Sequence, residues 1–94
     1  MELEWDEEKR QKALRERGMD FADLVWIDFE STTTRPDLRK DYGEPRFNTF
    51  GYLHGRLVTF CWTTRGSRIR VISMRKANDR ERKEFEACSL EGGD

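Results

Sequence analysis

Three residue types are scarce in this chain of 94 residues, which has two cysteines, two prolines and one histidine. Cys61 and Cys88 form neither a CxxC pair nor a disulfide framework, so we expect free thiols. Because His54 stands alone and no His, Asp and Glu cluster at ligand spacing, the sequence argues against a metal site. No apolar run approaches the roughly 18–20 residues that cross a bilayer, and no signal-peptide pattern is present. These absences predict a soluble, cytoplasmic protein with one domain over residues 1–94.

Charge is abundant, since 39% of the residues are Asp, Glu, Lys or Arg, yet the net charge is only −1. The two signs are separated along the chain. Residues 1–30 hold ten acids and five bases, whereas residues 35–84 hold thirteen bases and six acids. A net charge near zero is not typical of a nonspecific nucleic-acid binder, which usually has a basic domain. The basic central stretch instead indicates a focused site for anionic groups such as phosphates.

The apolar pattern predicts an α+β fold that begins with two helices. Residues 6–17 have a capping aspartate, acids in the first turn, bases in the last turn and Gly18 as a stop signal. Residues 20–29 are predicted to form a second helix. Its wide apolar arc places Trp26 in the core or against a partner.

An antiparallel sheet and a short C-terminal helix are predicted to follow. Residues 31–35 are rich in threonine and precede a proline, which favours an edge strand. Residues 46–53, 56–64 and 68–75 are predicted strands separated by two-residue turns, and they form a three-stranded meander. Asn78 and the acid three residues later resemble a capping box that starts the last helix.

The two turn lengths predict the pairing register, and the register assigns each side chain to a face of the sheet. The face that the first two helices should cover has one row made of Phe47, Trp62 and Val71, and its next row ends in Ser73. The opposite face has one row made of Arg46, Thr63 and Arg70, and a later row ends in Met74.

The basic residues of this second face favour a phosphate- or RNA-binding groove. Arg46 and Arg70 repel each other across the sheet, which indicates an anionic ligand between them. A run of five bases with no acid between them also supports such a groove: Arg65, Arg68, Arg70, Arg75 and Lys76. Guanidinium groups bind phosphate in a bidentate way, and Tyr42, Phe50 and Trp62 offer rings for an unstacked base. The alternative is that these arginines are solvated and pair with the acid-rich helices.

Two reactive residue types have structural interpretations. His54 falls in a predicted hairpin turn, which favours a neutral role over general base catalysis. Cys61 lies in a predicted strand and has no histidine nearby in the sequence, so packing explains it better than nucleophilic catalysis.

Several segments resemble the BrnT family of type II toxins. The matching segments are residues 4–9, 17–21, 41–47, 65–66, 69–77 and 81–82. They occur in the expected order and spacing, and the likeness runs from Glu4 to about Glu86. The resemblance implies a small RelE-like fold and a ribonuclease activity that arrests translation. Because the sequence has no cluster of metal ligands, we expect this activity to need no metal and no cofactor. It also implies a BrnA-type antitoxin as partner, in a complex of two toxins and two antitoxins whose antitoxin dimer binds operator DNA.

The resemblance also implies which residues act. The candidate catalytic residues are Arg46, Thr63, Arg70, Ser73 and Glu81. The candidate RNA-binding residues are Arg65, Arg68, Arg75, Lys76 and Tyr42. The expected chemistry is attack of a ribose 2′-hydroxyl on the adjacent phosphate. Arg46 and Arg70 are expected to stabilise the charge of the transition state, and Glu81 is expected to act either as the base or as a capping acid.

The chain departs from the family pattern at three positions. Arg17 stands where the family commonly has a histidine, Thr64 where it often has a glutamate, and Phe85 where it has a tyrosine. Each change removes a group capable of proton transfer. The competing hypothesis is a non-catalytic subunit that binds its antitoxin and regulates its own transcription.

Overall fold

The computed structural model describes residues 2–92, with side chains described as far as Ala87. In this part of the chain the regular elements are β1 Glu2–Trp5, α1 Glu7–Arg17, β2 Thr33–Pro36, β3 Phe47–Leu53, β4 Arg56–Arg65, β5 Arg68–Lys76 and α2 Asp79–Gly92. Two short 3₁₀ helices, Phe21–Trp26 and Phe29–Ser31, lie between α1 and β2. The predicted α+β class is confirmed. The predicted free thiol of Cys88 lies outside the described side chains.

The strands form one mixed sheet in the order β1-β5-β4-β3-β2. β1 pairs parallel with β5, whereas the other neighbours pair antiparallel. The prediction of a purely antiparallel sheet with four strands is therefore wrong, because β1 adds a fifth strand and pairs parallel. In β1, the apolar residues Leu3 and Trp5 alternate with Glu2 and Glu4, as in a strand. Four residues are too short a segment for this alternation to indicate a strand next to the strong helix signals that follow. In the sheet, both apolar side chains pack against the core.

The predicted first helix is confirmed as α1. The Asp6 carboxylate accepts hydrogen bonds from the backbone N–H of Glu8 at 2.9 Å and of Lys9 at 3.4 Å, which satisfies the free donors of the first turn. Gly18 ends the helix in the left-handed conformation, with φ of 66°. Ala13 is the buried residue of α1, so the helix lies on the surface of the core and stays largely solvated.

The predicted second helix is wrong, because residues 20–29 form a 3₁₀ helix and the start of another. Phe21, Leu24 and Ile27 repeat every third residue and are all buried, which matches the three-residue turn of a 3₁₀ helix. Ile27 is extended, with ψ of 144°, and interrupts the helix. Asp28 then caps the second 3₁₀ helix and donates its backbone N–H to the Tyr52 carbonyl at 3.2 Å. Trp26 is 70% exposed, which excludes the core and leaves contact with a partner as the remaining alternative of the prediction.

The predicted edge strand is confirmed as β2, and the first predicted hairpin register is confirmed from Phe47 opposite Trp62 onward. The turn between β3 and β4 has positive φ at His54 and Gly55, 52° and 78°, as a type I′ turn requires. Histidine is one of the residue types that tolerate this conformation, so His54 has a structural role in the turn.

The second hairpin follows the predicted register only near its turn. Trp62 pairs with Val71, but Cys61 pairs with Ser73, so Ile72 is an extra residue in β5 and forms a β-bulge. The bulge reverses the face of each later β5 side chain. The predicted placement of Ser73 on the helix-covered face and of Met74 on the opposite face is therefore wrong.

The two faces of the sheet differ in how far they are covered. α1 and the 3₁₀ helices cover one face, where Phe21, Leu24, Val58 and Val71 form the centre of the core with at most 1% exposure. On the other face, which we call the open face, α2 covers one end only. There the Phe85 ring meets the edge of Tyr52 at a centroid distance of 5.7 Å.

In the described residues, no helix combines the length and the apolar character needed to cross a membrane.

Gly51 in β3 controls how closely the 3₁₀ segment approaches the sheet. A Cβ atom at this position would lie 2.8 Å from Thr32 Cγ2 and 3.0 Å from Ile27 Cδ1. We expect Gly51→Ala to lower the free energy of unfolding by about 1–3 kcal/mol through overpacking, as measured by chemical denaturation. Thr32→Ser removes the nearer methyl group and should restore part of this loss. A Gly51→Ala protein as stable as the parent would contradict the close approach.

Candidate functional site

The bulge at Ile72 determines which β5 side chains reach the open face. After it, Ser73 lies opposite Cys61 and Arg75 lies opposite Thr59. Met74, which the regular register would place there, is instead 1% exposed in the core. The bulge therefore brings a hydroxyl and a guanidinium group onto the open face.

A groove of about 340 Å³ runs along the open face. The strand residues that line it are Asn48, Phe50, Thr59, Cys61 and Ser73. The charged residues around it are Arg17, Arg39, Arg75 and Glu81. They come from four places in the chain, namely the end of α1, the β2–β3 loop, β5 and the start of α2. The groove thus combines a polar floor, one aromatic ring and three guanidinium groups with a single carboxylate.

Arg75 and Glu81 form a two-point ion pair at one wall of the groove. The Arg75 Nη1 and Nη2 atoms donate to Glu81 Oε1 at 2.8 Å and to Oε2 at 2.9 Å. Oε1 also accepts from the backbone N–H of Asn78 at 2.9 Å, while the Glu81 N–H donates to Asn78 Oδ1 at 2.8 Å. The predicted capping box is therefore confirmed. The hydrogen bonds from Arg75 lower the pKa of Glu81 to about 2.

This ion pair limits Glu81 as a proton acceptor. A carboxylate with a pKa of about 2 is a weak base near neutral pH. Oε2, however, has Arg75 as its one hydrogen-bond partner among the described residues. A base role for Glu81 therefore requires Arg75 to turn away from Oε2.

Arg39 is held at the groove by a buried carboxylate. Asp37 has a side-chain exposure of 1% and accepts from Arg39 Nε at 2.9 Å and Nη2 at 2.8 Å. The Tyr42 hydroxyl donates to the same carboxylate at 3.3 Å. The hydrogen bonds from Arg39 hold the pKa of Asp37 well below its usual range. Asp37 is thus a fixed anion that orients both a guanidinium group and a phenol ring.

Arg17 is the third guanidinium group of the groove. Its Nη1 donates to the Met74 carbonyl at 2.9 Å, which anchors the end of α1 to β5. Among the described side chains, no carboxylate lies within ion-pair distance of Arg17. Arg17 therefore contributes a positive charge that no described acid of the protein neutralises.

The predicted row of Arg46, Thr63 and Arg70 lies on the open face beside the groove. Arg46 stacks over the Tyr42 ring at 4.1 Å and donates to Glu44 at 3.1 Å. Thr63 is 1% exposed and donates its hydroxyl to the Pro45 carbonyl. Arg46 and Thr63 are thus both bonded to other groups of the protein.

The β1 strand neutralises two of the predicted arginines. Arg70 pairs with Glu4 at 3.1 Å and Arg68 pairs with Glu2 at 3.1 Å, because the parallel register sets these residues side by side. Glu44 contacts Arg65 as well, at 3.2 Å. The repulsion inferred from the sequence is thus relieved inside the protein. The alternative interpretation, that these arginines pair with acids of the N-terminal segment, is confirmed for Arg68 and Arg70. Their partners, however, lie on strand β1 and not on a helix.

The structure brings some of the predicted site residues together and separates others. Ser73, Arg75 and Glu81 come together in the groove. Lys76 is exposed opposite Val58, a core residue, so it lies on the helix-covered side. Trp62 is also on that side, where its ring lies 4.7 Å from Phe47, so it offers no ring to the open face.

Arg17, Arg39 and Asn48 were not predicted as site residues. Asn48 already falls on the open face in the simple register. Tertiary packing brings the α1 end and the β2–β3 loop to the groove, so no local pattern indicates Arg39. For Arg17 the one signal is its position, where the family commonly has a histidine.

The other reactive residues lie apart from this chemistry. Burial raises the pKa of the Cys61 thiol, which supports its packing role. His54 is at the far hairpin turn, with Nε2 at 4.0 Å from Asp23. In the described part of the chain, no three His, Cys, Asp or Glu side chains are grouped so that they could hold a metal ion.

One comparison with known proteins identifies a family. A family model described as "Ribonuclease toxin, BrnT, of type II toxin-antitoxin system" matches residues 5–81. The matched range includes all nine residues that line the groove. A search of curated proteins gave no match.

Glu81→Gln tests the ion pair at the groove wall. Because the pKa of Glu81 is lowered to about 2 from 4.5, its stabilising effect is complete above about pH 5 and is lost as the pH falls through about 2. We expect E81Q to lower the free energy of unfolding by about 1 kcal/mol near pH 7, and this difference to shrink toward pH 3. Denaturant unfolding across this range measures both effects.

Glu84→Gln is the matched control, because it removes the same charge from the same helix at a more exposed position, where Glu84 pairs with Arg80 at 3.4 Å. E84Q should lower the free energy of unfolding by less than half as much as E81Q does, and this loss should depend little on pH. Equal losses in the two variants would contradict a special role for the Arg75–Glu81 pair.

Proposed function

The chain belongs to the BrnT family of ribonuclease toxins of type II toxin–antitoxin systems, and we propose that it cleaves RNA in the groove of the open face. The observation that carries the proposal is the convergence of Arg17, Arg39 and Arg75 around one groove. Guanidinium groups recognise phosphate through paired hydrogen bonds, and a polynucleotide presents phosphates at regular intervals.

The floor of the groove suits a single-stranded substrate. Phe50 lies in the groove and Tyr42 lies beside it, and both offer rings on which an unstacked base can lie. Asn48 offers an amide with both donors and an acceptor for a base edge. Arg65 and Arg68, at the β4–β5 turn, extend the positive surface for the backbone of the strand.

The proposed reaction is an internal transphosphorylation that needs no metal. The ribose 2′-hydroxyl loses its proton and its oxygen attacks the adjacent phosphorus, while the bond from phosphorus to the 5′ oxygen breaks. The leaving 5′ oxygen takes up a proton from water, so the products are a 2′,3′-cyclic phosphate and a 5′-hydroxyl end. Arg46 and Arg70, which lie beside the groove, exchange their partners Glu44 and Glu4 for the substrate and stabilise the extra negative charge of the transition state. The buried hydroxyl of Thr63 holds the loop that carries Arg46.

Substrate binding activates the proposed base. The phosphate competes for the fork of Arg75, and Glu81 Oε2 then loses the hydrogen bonds that keep its pKa low. Oε1 keeps its bond to the Asn78 N–H, so the carboxylate stays in place. Freed in this way, Glu81 takes the 2′-hydroxyl proton, and Ser73 donates a hydrogen bond to the phosphate.

In the cell, we propose that the toxin acts in the cytoplasm, where it cleaves messenger RNA and inhibits translation. A BrnA-type antitoxin neutralises it in a complex of two toxins and two antitoxins, and the complex contacts operator DNA through the antitoxin. The family supports an antitoxin partner, because type II systems pair each toxin with a protein antitoxin.

A second function is favoured by one observation. Arg46, Arg70 and Arg75 are all paired with carboxylates in the free protein, as expected of a subunit whose charges serve stability. In that case the chain is a non-catalytic partner of its antitoxin in transcriptional autoregulation. Expression without the antitoxin separates the two functions: growth arrest with RNA fragments that carry 5′-hydroxyl ends supports the nuclease, and unaffected growth supports the second function.

Arg75→Ala tests the groove in vitro. We expect the rate of RNA cleavage to fall on the order of 10²-fold, because the loss of a guanidinium contact to the phosphate outweighs the release of Glu81 from its ion pair. The measurement is the appearance of 5′-hydroxyl ends from a labelled RNA in the presence of EDTA. Arg56→Ala, at the opposite hairpin, removes an arginine outside the groove and should cleave at the parent rate. Equal rates in the parent and in R75A would exclude the groove as the active site.

Arg70→Ala tests the neighbouring row in cells. The variant should no longer arrest growth when expressed alone, because one transition-state charge is lost. It should still co-purify with the antitoxin, which shows that it folds. Undiminished toxicity of a folded R70A protein would remove Arg70 from the catalytic set.

A further inference from the structure

The most exposed apolar side chains of the 3₁₀ segment have no role in the groove. Val25, Trp26 and Phe29 are 50%, 70% and 49% exposed. They fall within five consecutive positions, and we call them the apolar patch. Large apolar side chains concentrated at a surface mark interaction sites, and tryptophan dominates the energy of many protein interfaces.

The apolar patch is presented on a fixed support. Phe21, Leu24 and Ile27, which are buried, anchor the same segment in the core. The Asp28 N–H bonds to the Tyr52 carbonyl, and Gly51 lets Ile27 approach the β3 backbone closely. A rigid patch loses little conformational entropy on binding, which favours affinity.

Acidic residues surround the apolar patch in the chain. Asp23, Asp28 and Glu30 lie beside or between its members, and the sequence has no Lys or Arg between Arg17 and Arg35. Among the described residues, the nearest basic group to Asp23 is His54, at 4.0 Å, and no ion pair involves Asp28 or Glu30. The acids therefore present negative charge around an apolar centre, which is the arrangement of a polar rim around an interface core.

We propose that the apolar patch is the docking surface for the antitoxin, and that it takes an antitoxin segment with apolar anchors flanked by Lys or Arg. This inference rests on the proposed function, which supplies the antitoxin as partner. The charge of the rim selects the occupant. A second copy of this chain would bring acids against acids, whereas a basic segment neutralises them.

The apolar patch and the groove lie on opposite sides of the sheet. The 3₁₀ segment contacts β1, β3 and β5 on the helix-covered face, whereas Arg75 and Ser73 line the open face. Binding at the patch thus leaves the catalytic groups untouched by this contact. Antitoxin affinity and RNA cleavage are therefore separable by substitution.

The test measures antitoxin affinity and RNA cleavage for the same variants, with the purified antitoxin as the probe. Trp26→Ala should raise the dissociation constant by more than tenfold and leave the cleavage rate of the free toxin unchanged. Leu38→Ala is the matched control, because Leu38 is 84% exposed on the β2–β3 loop, and its affinity should equal that of the parent. Asp23→Lys combined with Glu30→Lys should weaken binding and reduce its salt dependence. Circular dichroism checks that each variant folds.

The outcomes distinguish this inference from the proposed function. Equal affinities for the parent and for W26A overturn the docking surface, even if the parent cleaves RNA and binds the antitoxin. A parent that does not bind the antitoxin overturns the partner assignment itself, and with it the docking surface. A toxin that dimerises alone, and becomes monomeric as W26A with unchanged antitoxin affinity, assigns the patch to a second copy and overturns the basic partner.

Discussion

The extra residue in β5 determines the chemistry of the open face, because side chains of a strand alternate and one inserted residue reverses all that follow. Without Ile72 as an extra residue, Met74 would face solvent and Arg75 would be turned into the core. The bulge leaves the apolar side chain inside and brings the guanidinium group to Ser73, Thr59 and Glu81. β-Bulges often lie next to active sites for this reason, since they redirect a side chain without breaking the sheet.

The electrostatics of the free protein depend on the same geometry. Arginines that look crowded in the sequence each meet a carboxylate from another element, such as Glu4 of β1 or Glu81 of α2. Pairs of this kind at a surface contribute little to stability, and phosphate is a stronger competitor for a guanidinium fork than water is. The paired arginines are therefore compatible with a site that exchanges protein carboxylates for phosphates of a ligand. The buried Asp37 differs, because it is shielded from solvent and keeps Arg39 and Tyr42 oriented.

The fold also separates two surfaces of different character. The open face carries arginines around a polar groove, whereas the 3₁₀ segment on the other side carries an apolar patch among acids. The acids of residues 20–30 thus lie on the opposite side of the sheet from the arginines of the groove. A small domain with one core has few ways to keep two functional surfaces apart, and the two faces of a single sheet provide one for the surfaces that we propose.

Local signals in the sequence determined much of this protein. The capping residues and Gly18 of α1, the turn at His54 and Gly55, and the Asn78–Glu81 capping box each depend on neighbours in the chain, so their prediction was confirmed. Tertiary packing decided the rest. β1 becomes a strand because β5 offers it an edge, and residues 20–29 become 3₁₀ helices because burial of every third side chain outweighs helix propensity. Val71 and Met74 are three residues apart, so in a regular strand they would point to opposite faces of the sheet. This spacing indicates the bulge only once both side chains are known to be buried in the same core.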